Sequence, residues 1–237
     1  MVFMDWLFPR RCPVCGGIVA PRGALICPGC LGKLSPVRQP ACRRCGKEVL
    51  HERMEYCPDC SRYPRSFDGG MALLNYNEAA RRSMAAVKYK NKREYLDFYG
   101  EAMKVRMTKR VKHWQADALI PVPVHPSRRR QRGYNQAEEL AKRLEKHWQI
   151  PMDAGLLIRA KKTMPQKNLN PRERLANLQE AFAVKKERLA EGKVSETVIL
   201  VDDIYTTGST IEACSRVLKA AGVKKVYFVA VCIGFGR

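Results

Sequence analysis

The chain has 237 residues, room for one large domain or a small module joined to a medium one, and at 46% hydrophobic it can bury a real core. Its formal charge of +21 calls for an anionic partner: nucleic acid, a polyphosphate substrate or an anionic membrane surface. No apolar run approaches the roughly 20 residues that a membrane span needs, and the expected compartment is the cytoplasm.

Residues 1–8 are apolar apart from Asp5, but the segment is too short and wrongly flanked for a secretory signal. Trp6, Leu7 and Phe8 are expected to dock on the body, with peripheral membrane contact as the alternative. Eight of the ten cysteines then fall before residue 61, in two copies of one pattern. Cys12, Cys15, Cys27 and Cys30 read Cys-x2-Cys-x11-Cys-x2-Cys, and Cys42, Cys45, Cys57 and Cys60 repeat it thirty residues later. Two thiolates from one tight turn reach a single metal, and a second such turn completes a tetrahedron, for which Zn2+ is the matching ion. Gly16 and Gly46 follow the second cysteine of each leading pair, where the turn needs a positive φ. Disulfides are the competing reading, disfavoured in a cytoplasmic chain. Sequential pairing within each repeat is the simplest grouping; interleaved pairing has the same spacing. With four thiolates per ion the zinc is structural, and two such sites bring the charge to about +17.

From residue 68 the pattern becomes α/β. Strands are expected at 71–76, 118–124, 156–159, 198–201 and 225–232, and helices at 78–87, 93–112, 135–147, 172–178 and 210–221. The alternation implies a mostly parallel sheet with helices on both faces, whose ligands sit beyond the carboxyl ends of the strands. Two connections leave from such ends. In the first, residues 125–133, Arg128, Arg129, Arg130 and Arg132 crowd a strand-to-helix loop that closes on Gly133. The run is either a solvated face or nucleic-acid patch, or a cradle for a pyrophosphate, through backbone amides as well as guanidinium groups. His125 is read as a hydrogen-bonding loop residue rather than a base. The polar stretch 160–170, with Lys161, Lys162 and Gln166, is either a lid over the site or an ordinary surface loop. Tyr89 and Tyr95, among Lys88, Lys90, Lys92 and Arg93, either stack nucleic-acid bases or pack in the core.

The second connection is the more informative. Val198, Ile199, Leu200 and Val201 lead into Asp202 and Asp203, and Thr206, Thr207, Gly208, Ser209 and Thr210 open the last helix. The first amides of a helix lack partners and sit at its positive end, so a small-residue loop there binds anions. Paired carboxylates repel phosphate but suit a vicinal diol or a hydrated divalent cation. Phosphate on one side and diol on the other describe a ribose 5-phosphate. This segment resembles the 5-phosphoribosyl-1-pyrophosphate (PRPP) signature of type I phosphoribosyltransferases. The resemblance implies that Asp202 and Asp203 hold the ribose hydroxyls and residues 206–210 the 5-phosphate, with Mg2+ arriving on PRPP. Purine-type members carry an aspartate where Thr206 stands, so 6-oxopurine salvage is not expected.

The ordered set as a whole resembles the ComF family, the competence-associated phosphoribosyltransferase-like proteins. It comprises Phe8-Pro9-Arg10-Arg11-Cys12-Pro13, the cysteine repeats, Val87-Lys88-Tyr89-Lys90, Pro121-Val122-Pro123-Val124-His125-Pro126, Arg132-Gly133-Tyr134-Asn135-Gln136, Thr163 with Gln166, and the Asp202 motif. The resemblance implies a double zinc ribbon over residues 1–66 and a phosphoribosyltransferase-like domain over 67–237. It further implies a link to natural transformation, with single-stranded DNA and DNA-uptake proteins as partners. Two functions remain open: a phosphoribosyltransferase that displaces pyrophosphate from PRPP, and a binding module that senses PRPP or holds single-stranded DNA without turnover.

Overall fold

A computed structural model describes residues 9–159, 181–185, 187–188 and 195–234. The expected docking of Trp6, Leu7 and Phe8, the 160–170 segment and the 172–178 helix lie outside these residues.

Both cysteine repeats fold the same way. Each begins with an antiparallel bridge, Arg11 with Ile18 and Ala41 with Glu48. Each then closes a knuckle in which Gly16 and Gly46 donate to the carbonyls of Cys12 and Cys42, both at 2.9 Å. Those glycines adopt φ of 74° and 77°, as the turn requires. The third cysteine of each repeat caps a short helix with proline in its first turn, α1 (Pro28–Leu31) and α2 (Pro58–Arg62).

The body is built on four parallel strands: β1 (Gly69–Asn75), β2 (Ala118–Pro121), β5 (Thr197–Tyr205) and β6 (Lys225–Ile233), in the order β1-β6-β5-β2. Helices α3 (Glu78–Tyr89), α4 (Tyr95–Trp114) and α6 (Gln136–Trp148) cover one face, and α7 (Ser209–Ala220) the other. Strands buried on both faces read as continuous apolar runs, which is why Val198 to Val201 carry no alternation. Ile199 and Val201 pack under Met84, Tyr99 and Leu140, whereas Val198 and Leu200 pack under Ile211, Cys214 and Leu218. On α6 the buried residues Ala137, Leu140, Ala141 and Leu144 recur at helical spacing. Asn135 caps this helix by accepting from the Ala137 amide, and its own amide donates to Val122 O at 3.0 Å, fixing the helix start to the end of β2.

β1 is an edge of the sheet, and the segment joining the two repeats covers it. Val37 N donates to Leu73 O, and Asn75 N to Ser35 O.

Three expectations are corrected. Residues 125–133 are not an open loop: Pro126–Arg132 form a helix, α5, because His125 caps its start, Pro126 occupies the first turn and Gly133 ends it at φ 80°. β2 stops at Pro121 rather than 124; the end is abrupt, as the two prolines interrupting the run imply, because Pro123 has no amide hydrogen with which to extend the ladder. β3 (Leu157–Arg159) lies outside the parallel sheet, pairing antiparallel with β4 (Phe182–Val184), a strand too short for its pattern to register.

Candidate functional site: two cysteine clusters and the acid–hydroxyl corner

Within each repeat the four sulfur atoms lie within 4.8 Å of one another, and among the described residues no cluster mixes the repeats. The grouping is therefore sequential. Zn–S bonds of about 2.3 Å in a tetrahedron place sulfurs about 3.8 Å apart; Cys45 Sγ and Cys57 Sγ are 3.6 Å apart. The donor set fits a structural Zn2+ with no position left for water.

The second cluster is continuous with the sheet's core and reaches the acid–hydroxyl corner through residues 65–67. Arg65 Nη2 donates to Thr207 O at 3.1 Å. Ser66 donates its amide and its hydroxyl to the two carboxylate oxygens of Glu212, both at 2.8 Å. Phe67 meets Tyr205 and Phe228 edge-on, while Tyr205 stacks on Phe228 with centroids 4.7 Å apart. Gly208, at φ 80°, passes so close to this tyrosine that a Cβ would lie 2.3 Å from its hydroxyl. Only glycine fits. The loop it forms carries the Thr207 and Ser209 hydroxyls 2.9 Å apart at the start of α7, where no side chain caps the helix; Thr206 is exposed and Thr210 half-buried.

The two acids sit just before this loop, within β5 rather than beyond it, since the strand continues to Tyr205. Both are buried, Asp202 8% and Asp203 4% exposed. Asp203 N donates to Asp202 Oδ1 at 2.8 Å. Lys88, from the last turn of α3, places Nζ 2.5 Å from Asp203 Oδ2, and Gln136 Nε2 donates to Asp203 Oδ1 at 3.4 Å. Burial and the neighbouring Asp203 charge push Asp202 well above the usual carboxylate range. Burial would also raise Asp203, but the Lys88 ammonium outweighs it and holds that carboxyl below its ordinary value. The pair thus divides into one acid disposed to keep its proton and one held as a carboxylate.

The arginine helix borders the acids. Arg132 Nη1 donates to Gln136 Oε1 at 3.1 Å, so Gln136 bridges the guanidinium and Asp203. The Arg132 guanidinium also lies 5.1 Å from the centre of the Tyr89 ring, and Tyr89 is 70% exposed. Arg129 pairs with Glu138 at 3.1 Å. Arg128 and Arg130 are exposed. Because residues 126–132 are helical, the amides of Arg128, Arg129 and Gly133 already donate within the chain, and a cradle here uses guanidinium groups rather than backbone. His125 accepts from Ser127 N, the hydrogen-bonding part expected of it. Tyr95 is a core residue. Lys161, Lys162 and Gln166 lie outside the described residues.

Lys88 and Gln136 are the site residues that sequence reading missed. Both stand in motifs already noted, but nothing along the chain says that α3 and α6 converge on Asp203. Arg159, at the end of β3, lies with its guanidinium 5.2 Å from the Phe182 ring centre, and burial and then the charge of Arg128 lower its pKa from the usual value.

Comparison with known proteins agrees with this layout. Residues 3–61 match the double zinc ribbon domain and residues 130–235 the phosphoribosyl transferase domain. A zinc-ribbon module on a phosphoribosyltransferase-type domain is therefore the class of protein to which the chain is similar. It is 30% identical over 227 residues to Competence protein F of Haemophilus influenzae, covering 92% of this chain and 95% of that protein. Competence protein ComFC of Bacillus subtilis is 28% identical over 206 residues, 83% of this chain and 79% of the relative. DNA utilization protein YhgH of Escherichia coli K12 is 25% identical over 194 residues, 81% and 83% of the two chains. The chain belongs to the ComF family. Among the described residues no helix is long and apolar enough to cross a membrane.

Proposed function

We propose that the chain binds PRPP at the carboxyl edge of its parallel sheet and serves in DNA uptake. The observation that carries this reading is the corner itself. Two buried acids are followed directly by a glycine-pinned loop whose hydroxyls and helix N-terminus meet the needs of a phosphate monoester. Asp202 and Asp203 take the ribose hydroxyls and residues 206–210 the 5-phosphate. Arg128, Arg129, Arg130 and Arg132, ending at Gly133, take the pyrophosphate, and Lys161, Lys162 and Gln166 belong to a closing lid. The division falls near residue 66, with the zinc ribbons before it and the transferase-like domain after it. Mg2+ does not fit the acid pair as a protein-held ion, because Lys88 already neutralises Asp203.

Where transfer occurs, the bond from ribose C1 to the pyrophosphate oxygen breaks, an acceptor nucleophile bonds to C1, and the acceptor loses a proton. The protein supplies charge rather than a nucleophile: carboxylate beside the positive sugar, arginines beside the leaving group. The relatives' names, competence protein and DNA utilization protein, support placing this site in the handling of incoming DNA.

A non-catalytic reading rests on a different observation. The exposed Tyr89 ring backed by Arg132, beside Lys90 and Lys92, is a stacking platform for single-stranded DNA. Calorimetric titration with PRPP and Mg2+ separates the two. Stoichiometric binding that disappears in Asp202→Asn/Asp203→Asn supports the PRPP site, and no binding rules it out. Oligonucleotide affinity should fall steeply with added salt if phosphate contacts carry DNA binding.

A further inference from the structure

The acid pair is not vacant. Lys88 Nζ stands 2.5 Å from Asp203 Oδ2, its side chain only 19% exposed. Met84 and Val87 on the same helix are fully buried, and the Tyr134 hydroxyl donates to the Val87 carbonyl, so the end of α3 is held in place. Asp203 also accepts from Gln136 at 3.4 Å, and Asp202 accepts from the Asp203 amide. A divalent cation binds carboxylate oxygens at about 2.0–2.6 Å. On Asp203 it would be forced against the ammonium. A vicinal diol faces no such conflict. It is neutral, it donates to carboxylate oxygens, and it leaves the ion pair intact. The ammonium also has further protons to offer the oxygens of an anionic ligand.

From this geometry we infer that Lys88 is the specificity residue of the acid pair, making it a receptor for a sugar diol and excluding a bare divalent cation. The inference rests on the ribose-phosphate reading for the identity of the diol, but its cation half stands on the ion pair alone. Lys88 and Asp203, paired at 2.5 Å, together carry no net charge, and burial and the neighbouring charge push the Asp202 carboxyl above the usual carboxylate range.

The test uses the full-length, zinc-loaded chain and Mn2+ alone, followed by electron paramagnetic resonance. Wild type and Lys88→Arg should show no Mn2+ site that depends on Asp203. Lys88→Met should gain one, and Lys88→Met/Asp203→Asn should lose it again. Lys88→Gln serves as a second neutral variant should Lys88→Met not melt cooperatively. In parallel, PRPP affinity should fall about tenfold in Lys88→Met and stay near wild type in Lys88→Arg. Asp203-dependent Mn2+ binding by the wild type overturns the inference whatever the variants do. So does a folded neutral variant that gains no Mn2+ site. Failure of wild type to bind PRPP sinks the ribose-phosphate reading instead and leaves the Mn2+ comparison to decide the part played by Lys88.

Discussion

The two cysteine repeats have identical spacing and nearly identical knuckles, yet they occupy different environments. In the first, Cys15 is exposed and Cys27 half-exposed, and Cys12 and Cys30 share a small apolar cluster with Val19. In the second, all four cysteines are buried and belong to the same core as β5, β6 and α7. The first is tied to the body by Arg10, whose Nη1 lies 2.7 Å from Asp97. The second is tied by the Arg65 bond to the candidate phosphate loop and by Ser66 on Glu212. The local code sets a metal-binding knuckle, and what that knuckle supports depends on its neighbours. The first ribbon packs only partly buried residues, Val14, Leu25 and Ile26, against the helical side of the core, whereas the second lends its four buried cysteines to the core beneath the candidate site.

The strongest way to break this contrast is to remove one ligand from each cluster. Cys45→Ser should lose one zinc and unfold much of the body with it, since metal binding in such sites is worth on the order of 10 kcal/mol. Cys15→Ser should lose one zinc while the body's melting transition persists. Zinc content with thermal melts checks both, and equal damage from the two variants would erase the distinction.

The adjacent acids test the same lesson at smaller scale. Asp203→Asn strands the Lys88 ammonium and should cost roughly 3 kcal/mol, whereas Asp202→Asn removes a charge that burial and Asp203 disfavour and should cost little. The pH dependence has opposite signs for the two. Asp203, held below its ordinary value, contributes stability that is present above the normal carboxylate range and lost as pH falls through its lowered value. Asp202 is raised, so stability declines as pH climbs from the ordinary carboxylate value toward the raised one. Asp202→Asn should remove that decline, as read from denaturant midpoints across pH.

The knuckle glycines follow. Both have positive φ, so Gly16→Ala should cost about 1–2 kcal/mol. Gly46→Ala should cost visibly more, because its Cβ would meet Gly70 O and Met71 Cα at 2.9 Å, backbone that cannot step aside; the Gly16 position has only Tyr95 Oη at 4.0 Å. Melting of the purified variants orders them. The smallest effects belong to the two straps. Arg65→Met should cost about 1.5 kcal/mol and quicken hydrogen exchange around residues 206–210. Arg10→Met, which breaks a partly exposed pair, should cost less than about 1 kcal/mol and leave that exchange unchanged.

Much of the fold was legible because its signals are local. The four apolar residues before Asp202, the helical spacing of Leu140 and Leu144, and the Cys-x2-Cys turns each state their own structure within a few residues. In the arginine segment charge masks the helix, although His125-Pro126 at one end and Gly133 at the other mark it. Leu157 to Arg159 looked like another strand of the main sheet; its partner, Phe182 to Val184, has too few residues to show a period. At the candidate site, the acids, the hydroxyls and Gly208 could be named from sequence because they lie along one strand–loop–helix unit. Their cation could not, since Lys88 is more than a hundred residues from Asp203 in the chain.

By itself the sequence determined the chemistry available: eight thiols at metal spacing, two adjacent carboxylates, a glycine among hydroxyls, and a run of arginines. The tertiary structure alone decided which of these act together, because pairing across distant segments depends on how the sheet's two faces are covered. Packing α3 and α6 on one face brought Lys88 and Gln136 to Asp203. Packing α7 and the second ribbon on the other made a cysteine knuckle part of the support for the loop at residues 206–210.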